Sequence, residues 1–137
     1  MKRSVAILTG GESSEREIAI RSAQVIADLI RPMHKVVIYD FPSDRERFLS
    51  EYNTVDAVIP VFHGKGGEDG AIQGFLKTLG IPFLFSDVAA HAIGLNKVHT
   101  KRIVSQDGVL TPPFCVQKRG DVVDYTSPCV IKPVDGG

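Results

Sequence analysis

Residues 4–30 read SVAILTGGESSEREIAIRSAQVIADLI, in which a short apolar run, a glycine pair and a helical pattern follow one another. Residues 4–9 suit a strand that is buried on both faces, because most of them are apolar. Gly10 and Gly11 end this run. Apolar side chains then recur at helical spacing, at Ile18, Ala19, Ala23, Ile26, Ala27 and Ile30. Strand, turn and helix in this order indicate the first unit of a parallel sheet.

The same alternation continues to about residue 85. We expect further strands at 35–39, 57–62 and 81–85, a short polar helix at 44–52 and an amphipathic helix at 71–79. Pro60 is unusual for a central strand, because proline has no backbone N–H to donate. The pattern predicts an α/β fold, a parallel sheet flanked by helices, with ligand-binding loops at the carboxyl ends of its strands.

The pattern changes after Asp87. We expect helices at 88–94 and 97–105, a turn at 108–113, and two short strands at 114–118 and 129–132. These pieces lack the regular alternation of strand and helix. We therefore divide the chain near residue 95, into a domain of residues 1–95 and the beginning of a second domain at 96–137.

The charge balance excludes one class of function. The 137 residues include 16 Lys+Arg and 16 Asp+Glu, so the formal net charge is zero. Binding to nucleic acid or to an anionic membrane needs a basic excess, and we expect neither partner. The sequence shows no secretory signal and no apolar run of membrane-spanning length, which favours a cytoplasmic protein. Cys115 and Cys129 fit no metal-binding spacing, so we expect free thiols.

The first glycine-containing loop, residues 10–17, reads GGESSERE. It matches neither the P-loop pattern nor the dinucleotide-binding pattern. Ser14 and Glu17 have the spacing of a capping box, which would start a helix here. Glu15 would then lie in the first turn, where the helix dipole favours a carboxylate able to bind a ligand's ammonium group. From position alone, the simpler interpretation is that Glu15 stabilises the helix start.

The second loop, residues 63–70, reads HGKGGEDG and contains four glycines. His63 follows a predicted buried strand, where an imidazole can bind a carboxylate or transfer a proton, or can equally serve as a structural histidine. Among the lysines, Lys97 and Lys101 are spaced as on a solvated helical face. Lys132 instead leaves a predicted strand toward glycines, which suits a contact with phosphate.

Two stretches, GGESSEREIAI (10–20) and HGKGGEDGAIQGFL (63–76), resemble the signatures of the D-alanine–D-alanine ligase family of the ATP-grasp superfamily. IPF (81–83), Lys97, Lys101 and VIKP (130–133) fall in the family's order. The resemblance covers the whole chain, which corresponds to less than half of a typical member. It implies a Rossmann-like pre-ATP-grasp domain at 1–95, followed by the start of an ATP-grasp domain.

The resemblance also implies a mechanism. In this family ATP phosphorylates one D-alanine, and the amine of a second D-alanine attacks the acyl phosphate to form a peptidoglycan precursor. Glu15 would hold the ammonium group of the first D-alanine, with Ser14 beside it, and His63 would orient its carboxylate. Lys97 and Lys132 would contact ATP phosphates. The Mg²⁺ ligands are expected beyond the end of this chain, so we assign no metal ligand here.

The resemblance further implies a homodimer when full length, and no ligase activity from this chain alone. Family members usually have glycine at the positions of Phe85 and Asp87, a small residue at His91 and aspartate at Asn96. Three alternatives remain at this point. One is another ATP-grasp ligase, such as one that joins D-alanine to D-lactate. The second is a non-catalytic Rossmann-like binding module, although fold alone would not require the 63–76 match. The third is a truncated or degenerate relative that is kept for interaction.

Overall fold

The computed structural model describes residues 2–122 and 128–136. Within these ranges three strands and five α-helices follow one another along the chain. None of these helices has both the length and the apolar character that a membrane span requires. The elements are β1 (Ser4–Gly10), α1 (Arg16–Ile30), β2 (Lys35–Phe41), α2 (Arg45–Glu51) with a 3₁₀ turn (Tyr52–Thr54), β3 (Ala57–Val61), α3 (Ala71–Thr78), α4 (Val88–Leu95) and α5 (Lys97–Gln106).

The three strands form one parallel sheet in the order β2-β1-β3, with β1 in the centre. The chain passes from β1 through α1 to β2, and then returns past β1 to reach β3. The strand order therefore reverses at β1. In sheets of this kind, ligands bind at the carboxyl ends of the strands where the order reverses, which here lies between β1 and β3. The predicted parallel α/β sheet is confirmed.

One face of the sheet packs against α2 and α3. Ala6 and Leu8, alternate residues of β1, point to this face and are fully buried. They share a core cluster with Phe48 of α2 and with Ile72 and Leu76 of α3. The predicted amphipathic helix at 71–79 thus supplies the apolar stripe that its sequence indicated.

The opposite face packs against α1. Ile7 of β1 lies here in a cluster with Ala23 and Ala27, and Ala19 is also fully buried. Alanines four residues apart form one narrow stripe, which lets the helix lie close to the sheet. Ile18, which we expected on this stripe, is instead 54% exposed. That prediction is wrong because Ala19, Ala23 and Ala27 occupy the sheet-facing side of α1, and Ile18 lies one position before this stripe.

The predicted fourth strand at 81–85 is wrong, since the segment forms only a single parallel bridge between Val58 and Phe83. The Val58 N–H donates to the Pro82 carbonyl, and the Leu84 N–H donates to the Val58 carbonyl, each at 2.9 Å. The next bond of such a ladder would require an N–H at Pro60, which proline does not have. Pairing therefore stops after one residue pair.

The chain then turns sharply at Phe85, which has a φ of +82°. Asp87 begins α4 by accepting a hydrogen bond from the Val88 N–H at 2.7 Å, and its carboxylate also pairs with Lys77 at 2.6 Å. The hydrogen bond from Lys77 lowers the pKa of the Asp87 carboxyl, and the one from the Val88 N–H lowers it further. Asp87 therefore joins the start of α4 to the end of α3.

Residues after α4 include one more helix. Asn96 starts α5, because its side-chain oxygen accepts from the N–H groups of Val98 and His99 at 3.1 and 2.9 Å. The predicted helices at 88–94 and 97–105 are confirmed. The predicted strands at 114–118 and 129–132 are wrong: these described residues have no strand neighbour, and Val130 and Ile131 are largely exposed. A domain boundary near residue 95 stays a prediction.

The backbone at Phe85 generates a prediction about stability. A positive φ costs an L-residue about 1–2 kcal/mol, whereas glycine adopts it freely. Because the Phe85 side chain is largely exposed, Phe85→Gly should lose little packing. We expect it to raise the free energy of unfolding by up to about 1 kcal/mol in urea denaturation. Phe85→Ala removes the same ring but keeps the strain, so a gain of equal size in Phe85→Ala would contradict this explanation.

Candidate functional site

The first loop is fixed to the end of β2. The Arg16 guanidinium donates to both carboxylate oxygens of Asp40, at 2.8 and 2.5 Å, and to the Phe41 carbonyl at 3.3 Å. The Gly11 N–H donates to the same carbonyl at 2.8 Å. Gly10, with a φ of +94°, leaves room for this arrangement: a Cβ there would lie 2.2 Å from an Asp40 carboxylate oxygen. The loop is therefore closed onto its neighbouring strand.

The start of α1 differs from the predicted capping box. The helix begins at Arg16, Glu15 is its N-cap residue, and no side chain caps the helix start. Ser13, not Ser14, contacts the loop backbone, and its hydroxyl accepts from the Glu15 N–H at 3.2 Å. Ser14 is exposed. The capping-box prediction for Ser14 and Glu17 is therefore wrong.

The second loop is held in shape by its own carboxylates. The Gly64 N–H donates to Glu68 at 2.6 Å, and the Gly66 N–H donates to Asp69 at 2.8 Å. The other Asp69 oxygen accepts from the Ala71 N–H at 3.0 Å, at the start of α3. These bonds fold the chain after β3 into a compact turn in which the two carboxylates accept from three backbone N–H groups.

The two loops meet at the carboxyl edge of the sheet. The Ser13 hydroxyl donates to the His63 carbonyl at 2.7 Å, although these residues are 50 positions apart. A Cβ built on Gly64 would lie 3.5 Å from a carboxylate oxygen of Glu15. The structure therefore brings Glu15 and the backbone of the His63 loop into one place between β1 and β3.

His63 keeps hydrogen-bonding capacity in this position. The residue is half-buried, and its Nε2 atom is buried without a hydrogen-bond partner among the described residues. Glu15 is also half-buried. A buried polar atom without a partner costs free energy, which a polar ligand at this edge would recover.

The predicted phosphate-binding lysines have different surroundings. The Lys97 ammonium donates to the Gly136 carbonyl, and its backbone N–H donates to the Val134 carbonyl at 2.8 Å. Lys132 is exposed. Lys97 lies at an open cavity of about 430 Å³, and the cavity does not include Lys132 in its lining. The other lining residues are Glu68, Ser86, Ala90, His91, Gly94, Leu95 and Gly136.

Metal-binding side chains are not clustered in the part of the chain that the structure describes. Over residues 2–122 and 128–136, no three or more His, Cys, Asp and Glu side chains are grouped so that they could hold a metal ion. Cys115 and Cys129 are free and exposed.

The chain is similar to several known proteins. A family model described as "D-ala D-ala ligase N-terminus" matches residues 40–86, which include the second loop. D-alanine–D-alanine ligases from Syntrophobacter fumaroxidans and Aquifex aeolicus are 35% and 38% identical, over 99% and 97% of this chain. A third such ligase, from Moorella thermoacetica, is 40% identical over 80% of this chain.

The chain belongs to the D-alanine–D-alanine ligase family. It spans about half the length of the curated relatives that it matches, 46% and 47% for the first two named above. The crystal structure of D-alanine–D-alanine ligase from Bacillus anthracis agrees with its fold, with a TM-score of 0.81 and 28% identity over 100% of this chain and 47% of that one. A structure of the Bacillus anthracis ligase complexed with ATP gives a TM-score of 0.76 at 26% identity, covering 90% of this chain and 43% of that one. These similarities give no support to the alternatives of an ester-forming ligase or a non-catalytic module.

The sequence pattern did not identify three residues that shape this site, Ser13, Arg16 and Asp40. It favoured Ser14 over Ser13, and it gave no expectation of the pair formed by Arg16 and Asp40. A signal for the pair was present: Asp40 follows a predicted strand, so it had to lie at the same sheet edge as the loop containing Arg16.

The crowding around Gly10 leads to a prediction that separates the cost of steric crowding from the cost of a positive φ. Gly10→Ala would place a methyl group 2.2 Å from Asp40 and 2.7 Å from the Phe41 carbonyl, so it must displace the closed loop. We expect a loss of more than about 2 kcal/mol in the free energy of unfolding. Gly80 also has a positive φ, +69°, but a Cβ there meets nothing within 4 Å. Gly80→Ala should cost only about 1 kcal/mol, and equal losses in the two variants would show that crowding is unimportant.

Proposed function

We propose that the protein containing this chain joins two D-alanines in an ATP-dependent reaction, through an acyl phosphate, to make a peptidoglycan precursor. The supporting observation is that the two family signatures, far apart in sequence, touch at the carboxyl edge of the sheet. Ser13 bonds to the His63 carbonyl, and Glu15 lies against Gly64. This contact supports one shared site for Glu15 and His63.

In this proposal, Glu15 and His63 bind the first D-alanine. The half-buried Glu15 carboxylate lies at the N-terminus of α1, a position that favours an acidic side chain, and a carboxylate there suits the ammonium group of a ligand. The His63 Nε2 is buried and has no partner among the described residues, so a turn of the ring into the cleft would let it hydrogen-bond to the substrate carboxylate. Ser14 is exposed next to Glu15, and we keep it as a candidate further contact.

The nucleotide is assigned to Lys97 and Lys132. Lys97 lies at the open cavity beside Glu68, and Lys132 is free to turn toward a phosphate. When bound, Mg²⁺ would neutralise charge on the transferring phosphoryl group. The role of these lysines is to bind and position the triphosphate, since phosphoryl transfer depends mainly on position and charge.

Two wider properties belong to the same proposal. The cytoplasm supplies ATP and keeps thiols reduced, which suits the free, exposed Cys115 and Cys129. A homodimer of the full-length protein follows from the family resemblance and is testable by light scattering.

The proposed role of Glu15 predicts a change in substrate binding. Glu15→Gln in the full-length enzyme removes a charge-assisted hydrogen bond to the D-alanine ammonium, which costs on the order of 1.5–3 kcal/mol. We expect the Michaelis constant for the first D-alanine to rise by roughly 10- to 150-fold in steady-state assays. The Michaelis constant for ATP should change little.

Glu17→Gln is the matched control. Glu17 lies two residues from Glu15, on the exposed side of α1. Among the described residues its ion-pair partner is Arg21, at 3.9 Å. It should leave the D-alanine constants unchanged. Wild-type D-alanine constants in Glu15→Gln, or an equal effect in Glu17→Gln, would argue against Glu15 as the substrate carboxylate.

The proposed role of Lys97 predicts the opposite pattern. Lys97→Ala should change ATP use by about 10-fold or more, either as a higher Michaelis constant for ATP or as a lower kcat. The affinity for the first D-alanine should stay near wild type. Lys101→Ala is the control, because Lys101 lies one turn along α5 and its ammonium instead contacts the Pro112 carbonyl at 3.0 Å. A loss confined to D-alanine affinity would assign Lys97 to the amino-acid site.

A further inference from the structure

The Ser13 hydroxyl joins the two loops of the candidate site. It donates to the His63 carbonyl at 2.7 Å and accepts from the Glu15 N–H at 3.2 Å. A hydroxyl has one donor and two acceptor positions, so both bonds can exist together. One side chain thus contacts the backbone of both residues proposed to bind the first D-alanine.

Other contacts hold each loop separately. Arg16 and Asp40 fix the first loop to β2, and Glu68 fixes the second loop to itself through Gly64. Among the hydrogen bonds of residues 2–122 and 128–136, the bond from Ser13 to His63 is the one that connects the two loops directly. Their relative position therefore depends on this hydroxyl more than on either internal network.

The packing around Ser13 leaves little space for another arrangement. Gly64 is buried with a φ of +74°, and a Cβ there would lie 3.3 Å from the Ser13 Cβ and 3.5 Å from a Glu15 carboxylate oxygen. The loops can approach this closely because residue 64 has no side chain. A small shift of one loop would therefore change the distance between the Glu15 carboxylate and the His63 ring.

We infer that Ser13 is a positioning residue, which sets the distance between Glu15 and His63 for the first D-alanine. This inference rests on the proposed function, because it assumes that Glu15 binds the substrate ammonium. Ser13 acts through the backbone of the two residues and need not touch the substrate. Without the hydroxyl, the His63 carbonyl and the Glu15 N–H lose their shared partner, and the loops can move apart. Misplacement by about 1 Å is enough to cost a large factor in rate.

The test compares Ser13→Ala with Ser50→Ala in the full-length enzyme. Ser50 is an exposed serine of α2 whose hydroxyl donates to the Arg47 carbonyl at 2.7 Å, so it controls for a change of serine to alanine outside the candidate site. Ser13→Ala should lower kcat/KM for first-site D-alanine by about 10-fold, with the ATP constant within about twofold of wild type. Ser50→Ala should keep wild-type constants, and Ser13→Thr, which retains the hydroxyl, should restore most of the loss.

A double-mutant cycle with Glu15→Gln separates this inference from the proposed function. If Ser13 acts through Glu15, Ser13→Ala should cost much less in the Glu15→Gln background than in wild type. Equal costs in the two backgrounds would overturn the positioning role. A Glu15→Gln variant with wild-type D-alanine constants would instead overturn the proposed function.

Folding of the variants is checked by circular dichroism and urea unfolding. Should Ser13→Ala fail to fold, Ser13→Cys keeps the size of the side chain and replaces the hydroxyl by a weakly bonding thiol. The same D-alanine-specific loss is expected for Ser13→Cys. Wild-type kcat/KM for D-alanine in a folded Ser13→Ala or Ser13→Cys enzyme would overturn the inference.

Discussion

The site depends on the burial of β1 between two parallel neighbours. β1 pairs with β2 along one edge and with β3 along the other, and its residues from Val5 to Gly10 are buried. Because all three strands run the same way, their carboxyl ends share one edge of the sheet. The loops after β1 and β3 therefore meet there, although they are about 50 residues apart in sequence.

Closure of the first loop connects this sheet to the residues of the candidate site. Gly10 ends β1 without a side chain, so Arg16 can pair with Asp40 across the end of β2. The pair is partly exposed, so its contribution lies mainly in fixing geometry, since solvent screens such ion pairs. With the loop fixed, Ser13 faces the His63 carbonyl, and Glu15 stands at the start of α1. The close packing at Gly10 thus helps to position the Glu15 carboxylate.

Sequence patterns could predict what depends on neighbouring residues. Apolar runs located β1, β2 and β3, and helical spacing located α1 and α3. Predictions failed where a distant group decided the outcome. Pro60 limits the segment at 81–85 to one bridge because its missing N–H faces that segment. Ser13, and not Ser14, contacts the loop backbone, because its hydroxyl donates to the His63 carbonyl, 50 residues away. The pairing of Arg16 with Asp40 likewise requires knowledge that two strands are adjacent.

The central claim is that the carboxyl edge between β1 and β3 binds the first D-alanine. The most direct measurement is a crystal structure of the full-length protein with D-alanine and a non-hydrolysable ATP analogue. The account predicts that the D-alanine ammonium lies about 2.7–3.2 Å from a Glu15 carboxylate oxygen, with the His63 ring on the substrate's carboxylate side. An ammonium group bound by a different carboxylate, with Glu15 turned to solvent, would contradict it.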